Sequence, residues 1–471
     1  MKTRKLYAPS AFEAGFQAIR DELDIPRAFP PEVLSAAETA VDRFADIRSD
    51  RRDLSLVAID PPGAMDLDQA FYAEAITDSA AAYRVFYAIA DVGAFIESGD
   101  PIDLEARRRG TTYYSPDLRT PLHPPTLSED RASLLAGTDK PALLWTIDLD
   151  VHGAPVNVMV ERSLVTVREA ISYTEAQRRI DAGINASLNL LKKIGTLRQI
   201  QEVKRGGISL NLPSQEVVER NGTYDLQFDT SIPVEGWNAQ MSLLTGIVAG
   251  RKMCEAKVGV LRTLPSPRHQ DLRRLRREAE ALEIPWPEDQ SYPEMIRTVT
   301  PDSPRKAAFL LQAARSFRGA GYVFIHGELP QLSEHGAIAS HYAHVTAPLR
   351  RLVDRPNNEV LLALFAGIAP GPPLIADLEE LPSQMGKARS RESAFERALV
   401  DYAETMVLSG RVGQRFDASV VSLHEKRDLA YIQILDPAIE SSVPLNGHQL
   451  GDRITVTLAE ADPVSRTLSW E

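Results

Sequence analysis

The chain has 471 residues, 44% of them hydrophobic and 25% charged, a length that accommodates two or three domains around a sizeable core. A net charge of −12 at pH 7 excludes an indiscriminate nucleic-acid coat, because phosphate binding depends on local positive charge, yet it leaves room for an enzyme with a narrow basic channel. The single cysteine, Cys254, excludes an intrachain disulfide and a thiolate metal cluster. No apolar run is long enough to span a membrane, and no apolar h-region follows the basic start MKTRKLYAPS. Together these features predict a reducing, cytoplasmic setting.

In chain order, residues 1–52 read as a helical module. In SAFEAGFQAIRDEL, Ser10 and Glu13 stand at capping-box spacing, with Phe12, Phe16, Ile19 and Leu23 on one stripe. After a Pro-rich break, EVLSAAETAVDRF places Val33, Ala36, Ala37, Ala40 and Phe44 on one face, completing a helical pair with a supporting or helix-turn-helix-like role. Residues 53–402 form the central domain. It begins with the strand patterns LSLVAID, QAFYAEAI and YRVFYAIADV, and WTIDLDVHG follows as strand and turn. Helices dominate from 237 to 320, ASHYAHVTAPLRRLVDRP is extended with a turn, and NNEVLLALFAGI and RESAFERALVDYAETMVL are helices. In residues 403–471, five short strands separated by turn residues predict a Greek-key barrel of the OB type. The fold class is therefore α+β: a mixed central domain, an N-terminal helical segment and a C-terminal barrel. The basic clusters at 107–109, 273–277, 350–351 and 387–391 decide nothing by charge alone. For RRLRR at 273–277, helix ion pairs are the better reading.

The stretch VAIDPPGAMDLDQAF (57–71) crowds Asp60, Asp66 and Asp68 beside a turn and between apolar flanks. Like charges this close repel unless protonation or a bound cation neutralises them. Extended backbone puts Asp66 and Asp68 on one face with Leu67 on the other, and the Pro61-Pro62-Gly63 turn folds Asp60 back towards them. Hard oxygen donors without nearby Cys or His suit magnesium or manganese. The spacing fits neither an EF-hand loop nor a glycosidase pair, whose carboxylates come from separate segments roughly 5 to 9.5 Å apart. Carboxylates holding divalent ions are a recurrent means of hydrolysing phosphodiesters. The plain alternative is a turn starter followed by two carboxylates on a solvated edge.

The segments IDPPGAMDLDQAF, YRVFYAIADVGAFIESGDPIDLEARRRGTTYYSPDLRTPLHPPTLSEDRASL, KRGGISL, LRTLPSP and HYAHVTAPLRR occur in one order. Over roughly residues 54 to 400 this resembles the catalytic RNB domain of the ribonuclease II and ribonuclease R exoribonuclease family, with an OB-type tail. The resemblance implies processive 3′→5′ hydrolysis of single-stranded RNA to nucleoside 5′-monophosphates by a monomer, with Mg2+ and Mn2+ as an alternative.

On that resemblance, Asp60, Asp66 and Asp68 match the first three of four acidic metal positions, and the fourth is Gln69, whose carbonyl can ligate but brings no charge. Asp68 is expected to be the carboxylate whose loss is most damaging. Arg350 matches the arginine on the scissile phosphate, with Pro348 fixing its turn and Arg351 read as a structural ion pair. Tyr114 matches the aromatic that stacks on terminal bases, Tyr113 being the neighbouring alternative; Tyr173 aligns near the ribose and Glu396 with an acidic residue late in the domain. Asp91 is read as fold support. Asn238 and Ala239 stand where the family often has two glutamates, one implicated in ribose recognition, which puts discrimination through the 2′-OH in question. Larger members carry two cold-shock domains before the catalytic domain, which 50 helical residues cannot contain. The barrel segment 410–471 sets six Arg and Lys against nine Asp and Glu, with Phe416 and Tyr431 as candidate stacking residues or core. The rival readings are a catalytically silent RNA-binding protein of the same fold and an exonuclease that accepts single-stranded DNA.

Overall fold

A computed structural model describes residues 10–77, 80–209, 214–220, 223–229, 232–300, 303–315, 317–434, 436–437 and 439–471. The basic start, and Leu210 at the end of the KRGGISL motif, lie outside the described residues. A 3-10 turn over Ser10–Phe12 leads into α1 (Glu13–Glu22), and α2 spans Pro31–Thr39. The capping box expected at Ser10 does not form: Phe12 stands at the N-cap and no side chain caps the helix. α2 stops at Thr39 because Ala40 is already extended, so Ala40 and Phe44 lie beyond the helix. Phe44 instead lies beneath the Arg162 guanidinium, 3.6 Å from its carbon to the ring centroid.

The central sheet is built from β1 (Ser49–Asp50), β2 (Leu56–Ile59), β3 (Gln69–Ala75), β4 (Tyr83–Ala90), β7 (Asp139–Leu149) and β8 (Pro155–Ile171), in the order β1-β8-β2-β3-β4-β7. Between β4 and β7 come α3 (Pro101–Arg109) and a two-stranded hairpin, β5 (Tyr113–Tyr114) and β6 (Arg119–Thr120). The long β8 pairs with β7 from Pro155 to Thr166 and with β2 through its end, so the sheet curls back on itself. Helices α4 (Tyr173–Ala182), α5 (Ala186–Lys204) and α6 (Pro233–Ala256) follow, with a hairpin of β9 (Ser214–Arg220) and β10 (Thr223–Asp229) before α6. Within the stretch expected to be helical, β11 (Val258–Thr263) is a strand paired antiparallel with β12 (Gly321–His326), and α7 (His269–Ala281), α8 (Tyr292–Thr298) and α9 (Pro304–Arg315) lie between them. The chain closes with α10 (Asp354–Phe365), the 37-residue α11 (Pro372–Leu408), and five strands: β13 (Arg415–His424), β14 (Leu429–Ile434), β15 (Ile439–Pro444), β16 (Arg453–Asp462) and β17 (Thr467–Trp470).

Those five strands form one sheet in the order β15-β14-β13-β16-β17, the Greek-key order expected for the tail. Its two edges meet where Trp470 Nε1 donates to Ser441 Oγ at 2.8 Å. The Ser10–Phe12 turn and α1 together bury Phe12, Phe16 and Ile19 in one core with Phe395 and Tyr402 of α11 and the barrel interior. α2 sends Val33 and Ala37 into a second core beneath the central sheet, so the N-terminal helices anchor to separate parts of the molecule. Gly15 permits the first contact: a Cβ there would fall 2.0 Å from the Tyr402 ring. A third core packs the opposite face of the sheet, including Tyr87, Ile89 and Trp145, onto α5 and α6. The RRLRR run serves the fold as read: Arg274 pairs with Glu278, and Arg276 stacks on Trp286 while donating to carbonyls of the 286–290 loop. No described helix is long and apolar enough to cross a membrane.

Candidate active site

The first half of the site is set by the apolar strand β2, which buries all four of its residues and then must turn. Gly63, at φ +78°, supplies the left-handed conformation that lets the Pro-Pro turn reverse the chain. Asp60 stands at the exit of β2, its amide donating to the Ile171 carbonyl at 3.2 Å, so it meets the end of β8 and the start of α4. Past the turn, Asp66 and Asp68 precede β3, and Ser133 holds the segment: its hydroxyl accepts from the Leu67 amide and donates to the Met65 carbonyl.

Asp68 is 6% exposed. One oxygen accepts from the Leu349 amide at 2.8 Å, and the other lies 3.4 Å from Arg350 Nε. Burial pushes its carboxyl up to about 8, although the Arg350 charge and the Leu349 amide pull the other way. Arg350 projects from a tight turn in which the Arg350 and Arg351 amides both donate to the Ala347 carbonyl. Its own carbonyl accepts from the Thr112 amide and the Thr111 hydroxyl, each at 3.0 Å, which locks this turn to the segment entering the β5–β6 hairpin. Behind it, His123 Nε2 faces the Pro348 carbonyl at 3.3 Å; burial foremost, then the Arg355 charge, hold this imidazole down to about 3. Arg350 remains 44% exposed, whereas Arg351 is committed to Asp354 at 2.9 Å, the structural pair expected of it.

The hairpin brings Tyr114 and Arg119 together as cross-strand partners, and both reach Asp66. The Tyr114 hydroxyl donates to Asp66 Oδ2 at 3.4 Å, and Arg119 pairs with Asp66 and, through its other terminal nitrogen, with Glu129. Tyr114 is 41% exposed. Tyr113, the alternative stacking residue, is core: buried, edge-on to Phe395, and donating to the Arg109 carbonyl.

Gln69 departs from its expected role. Its Nε2 donates to the Thr346 carbonyl at 2.6 Å, and its Oε1 accepts from the Tyr87 hydroxyl and from Ser242 Oγ at 3.1 Å. Both acceptor sites of the amide oxygen are filled, so Gln69 is a strut between β3, β4, α6 and the 346–350 turn rather than a cation ligand. Tyr173, the first residue of α4, is half-buried and hydrogen-bonded to Asn238; burial, then the Asp60 charge, push its phenol up to about 12. Ala239 is exposed. Glu396 is half-buried on α11, and Glu392, one turn earlier on the same helix, couples electrostatically to Arg350. Burial raises the Glu392 carboxyl against the opposing charges of Arg389, Arg351, Arg350 and Arg262. Asp91 supports the fold as read, accepting from Arg48 at 2.9 Å and Arg162 at 3.1 Å. Phe416 is buried edge-on to Trp470 and so is core, and Tyr431 is half-buried on β14.

Carboxylates without imidazole or thiol suit a hard ion, and a buried Asp68 whose charged form is disfavoured is the kind of group a cation would relieve. Among the described residues, however, no three His, Cys, Asp or Glu side chains are gathered as a metal-holding set. The four-residue set expected from the sequence is split: Asp66 is turned onto Arg119 and Gln69 into the fold. Asp60 and Asp68 both bear electrostatically on the Tyr87 phenol, and Asp66 on Asp68, so the carboxylates share one electrostatic neighbourhood.

Sequence reasoning missed Arg119, Glu129, Tyr87, Ser242 and Glu392. Two signals were available. Ser115-Pro116-Asp117 is a turn sequence that makes Tyr114 and Arg119 hairpin partners, and Tyr87 alternates with Val85 and Ile89 on an otherwise apolar stretch of the strand, where its hydroxyl needs a partner.

Residues 48–367 match the RNB domain, and residues 414–470 match the RNase II-type exonuclease C-terminal S1 domain. The chain belongs to the RNB family. It is 25% identical over 450 residues to the exosome complex exonuclease dis3 of Schizosaccharomyces pombe, a match covering 89% of this chain and 46% of that protein, so the chain spans about half the length of this curated relative. In fold it is similar to Mycoplasma genitalium RNase R solved in complex with ribose methylated single-stranded RNA, with a TM-score of 0.85, 20% identity, and 97% and 77% of the two chains covered. It is also similar to yeast Ssd1, described as a pseudonuclease, with a TM-score of 0.71, 15% identity, and 97% and 58% covered. The α+β class with an RNB domain and an OB-type tail therefore stands.

Proposed function

We propose that this chain is a 3′→5′ exoribonuclease that hydrolyses single-stranded RNA processively to nucleoside 5′-monophosphates, working as a cytoplasmic monomer with Mg2+, or Mn2+ in its place. The observation that carries the reading is the Asp68–Arg350 pair: a buried carboxylate at hydrogen-bonding reach of a half-exposed guanidinium, on a turn tied to the hairpin that presents Tyr114. RNA entering 3′ end first would stack its terminal bases on Tyr114, a contact every base can make. Arg350, anchored through Nε, would face the phosphoryl oxygens as negative charge builds on them. Asp68, ionised when a cation lies beside it, would orient the attacking water through Oδ2. A divalent ion held by Asp60 and Asp68 would supply Lewis-acid stabilisation and a more acidic water. Tyr173 and Asn238, hydrogen-bonded to each other beside Asp60, would border the ribose.

A second reading, RNA binding without hydrolysis, is favoured by two observations: Gln69 is engaged by the fold, and Asp66 carries an arginine. A 5′-labelled single-stranded RNA incubated with the protein and Mg2+, and again with EDTA, tests both. A ladder shortening from the 3′ end only with metal is expected; intact but bound RNA would replace hydrolysis with binding. A DNA strand of the same sequence, run in parallel, tests whether the Asn238 and Ala239 positions leave the site open to deoxyribose. RNA-selective shortening is expected, and equal shortening would make the protein a nuclease of both.

A further inference from the structure

We propose that the N-terminal segment, residues 12–29, is a positioning element of the site: it braces the β5–β6 hairpin and so fixes Tyr114 where a terminal base stacks. This rests on the RNA-binding part of the proposed function and adds to it the residues that set the stacking platform. Tyr114 is half-exposed at the end of a two-residue strand, and a hairpin this short does not hold its own shape in water. Its tip is gripped by Arg20 of α1. Arg20 Nη1 donates to Ser115 Oγ and Asp117 Oδ1, both at 2.9 Å, and Nη2 donates to Asp117 Oδ2 at 2.7 Å. The guanidinium is 3% exposed, so this two-pronged grip is shielded from water and fixed in direction.

The base of the hairpin is held from the same segment. Arg109, wholly buried at the end of α3, donates through Nη2 to the Ala28 carbonyl at 2.7 Å and through Nη1 to the Pro121 carbonyl at 3.0 Å. Its guanidinium carbon lies 3.7 Å from the centre of the Phe29 ring. Pro121 directly follows β6, and the Arg109 carbonyl accepts from the Tyr113 hydroxyl, so both strands are tied through Arg109 to residues 28–29. The segment is anchored at its other end in the barrel and α11. Phe12 and Phe16 meet the Tyr402 ring edge-on at 5.9 and 5.5 Å, and Arg466, in the β16–β17 turn, donates to both Glu22 oxygens at 2.7 and 2.8 Å. Arg20 and Arg109 thus hold the residues on either side of Tyr114, while Tyr114 itself faces Asp66. Any effect of the segment on RNA passes through that aromatic.

A single-stranded RNA carrying 2-aminopurine at its 3′ end, bound to the full chain in EDTA, reads the stack directly, because stacking quenches the fluorescence of that base. The wild type should quench it at saturation and Tyr114→Ala should not. Arg20→Gln and Phe29→Ala should each lose at least about half of the quenching and weaken binding about threefold or more. Either one added to Tyr114→Ala should weaken binding by less than about twofold further, since nothing is left to position. Ile296→Ala, which opens the separate core of α7–α9, should unfold earlier yet keep the wild-type quenching. Wild-type quenching in a folded Arg20→Gln or Phe29→Ala, additive losses in the double variants, or quenching lost in Ile296→Ala would each overturn the proposal. Should Arg20→Gln not fold, Phe29→Ala, alone and with Tyr114→Ala, decides it. Failure of the underlying reading is distinguishable. Quenching that survives in Tyr114→Ala would remove the stacking role of Tyr114 itself and the proposal with it, whereas intact RNA in the Mg2+ assay would end the hydrolytic reading and leave the quenching pattern standing.

Discussion

Asp68→Asn acts on the reaction and on the fold in opposite directions. In the unfolded chain an Asp titrates near 3.9, and in the folded protein without metal burial pushes Asp68 up to about 8. Such a carboxyl leaves stability untouched below the unfolded value. As pH rises past it, the unfolded chain ionises and the folded one does not, so stability falls until the folded value is reached. Integrated to pH 7, this penalty is about 4 kcal/mol. Asn is neutral throughout and escapes it. Its side-chain oxygen can still accept from the Leu349 amide, and the contact given up is the 3.4 Å one to the half-exposed Arg350, worth about 0.5 kcal/mol. The variant should therefore lose RNA hydrolysis yet be more stable in EDTA at pH 7, by about 2–4 kcal/mol once imperfect fit of the amide is allowed for. Urea-unfolding midpoints of both proteins from pH 4 to pH 8 in EDTA check this: the curves should meet near pH 4 and separate as pH rises, and added Mn2+ should narrow the gap by binding the ionised wild type. A variant less stable than wild type at pH 7 in EDTA, or a gap that ignores pH, would refute the reasoning.

Asp117→Asn should destabilise the protein by about 3 kcal/mol, because it strips the bidentate partner from Arg20, a guanidinium only 3% exposed that ties α1 to the hairpin. Burial raises the Asp117 carboxyl, but its hydrogen bonds from Arg20 and Ser115 outweigh burial and hold it below the ordinary value. The contribution is thus present above the unfolded value near 3.9 and is lost as pH falls through the lowered folded value, so thermal unfolding of the two proteins should differ at pH 7 and the difference should shrink in acid. Gln69→Leu should cost about 1–2 kcal/mol in a denaturant titration, since it leaves the Thr346 carbonyl short of a partner while the Tyr87 hydroxyl keeps Ser242 at 2.8 Å. Tyr114→Ala should leave the unfolding curve in place and weaken single-stranded RNA by about tenfold in fluorescence anisotropy, the loss of one stacked base.

Much of the fold was legible because strand alternation and helical stripes are local. The strands around Val57, Phe71 and Val85, the helix after Asn357 and the five strands of the tail all follow from period and turn residues. Where local signals misled, tertiary contacts had won. Ser10 was expected to cap, but Phe12 and Phe16 are pulled into the core beside Tyr402, and the helix starts at Glu13. β11 was hidden in an otherwise helical stretch because its partner β12 arrives more than fifty residues later. At the site, the sequence marked Asp60, Asp66, Asp68, Arg350 and Tyr114, which lie on two stretches and a distant turn. It could not show that Arg119 folds onto Asp66, or that Gln69 finds Tyr87 and Ser242 at separations of 18 and 173 residues.

The same energetics bear on the choice between hydrolysis and silent binding. Gln69 shows what a neutral residue looks like when it has been absorbed into this fold: each polar atom of its amide has a protein partner, and no charge is buried. Asp68, its immediate neighbour, is the reverse. It is more deeply buried, its raised carboxyl costs the metal-free fold about 4 kcal/mol of stability at neutral pH, and Asn would keep the Leu349 hydrogen bond without that penalty. A protein that only grips RNA gains nothing from a destabilised carboxylate set behind its phosphate-facing arginine, since an anion there repels the phosphate it must bind. A protein that must place a cation at that point requires one, and functional sites are where a fold tolerates such a penalty. The contrast between these adjacent positions is the physical argument for hydrolysis, and it holds whether the site takes one ion or two.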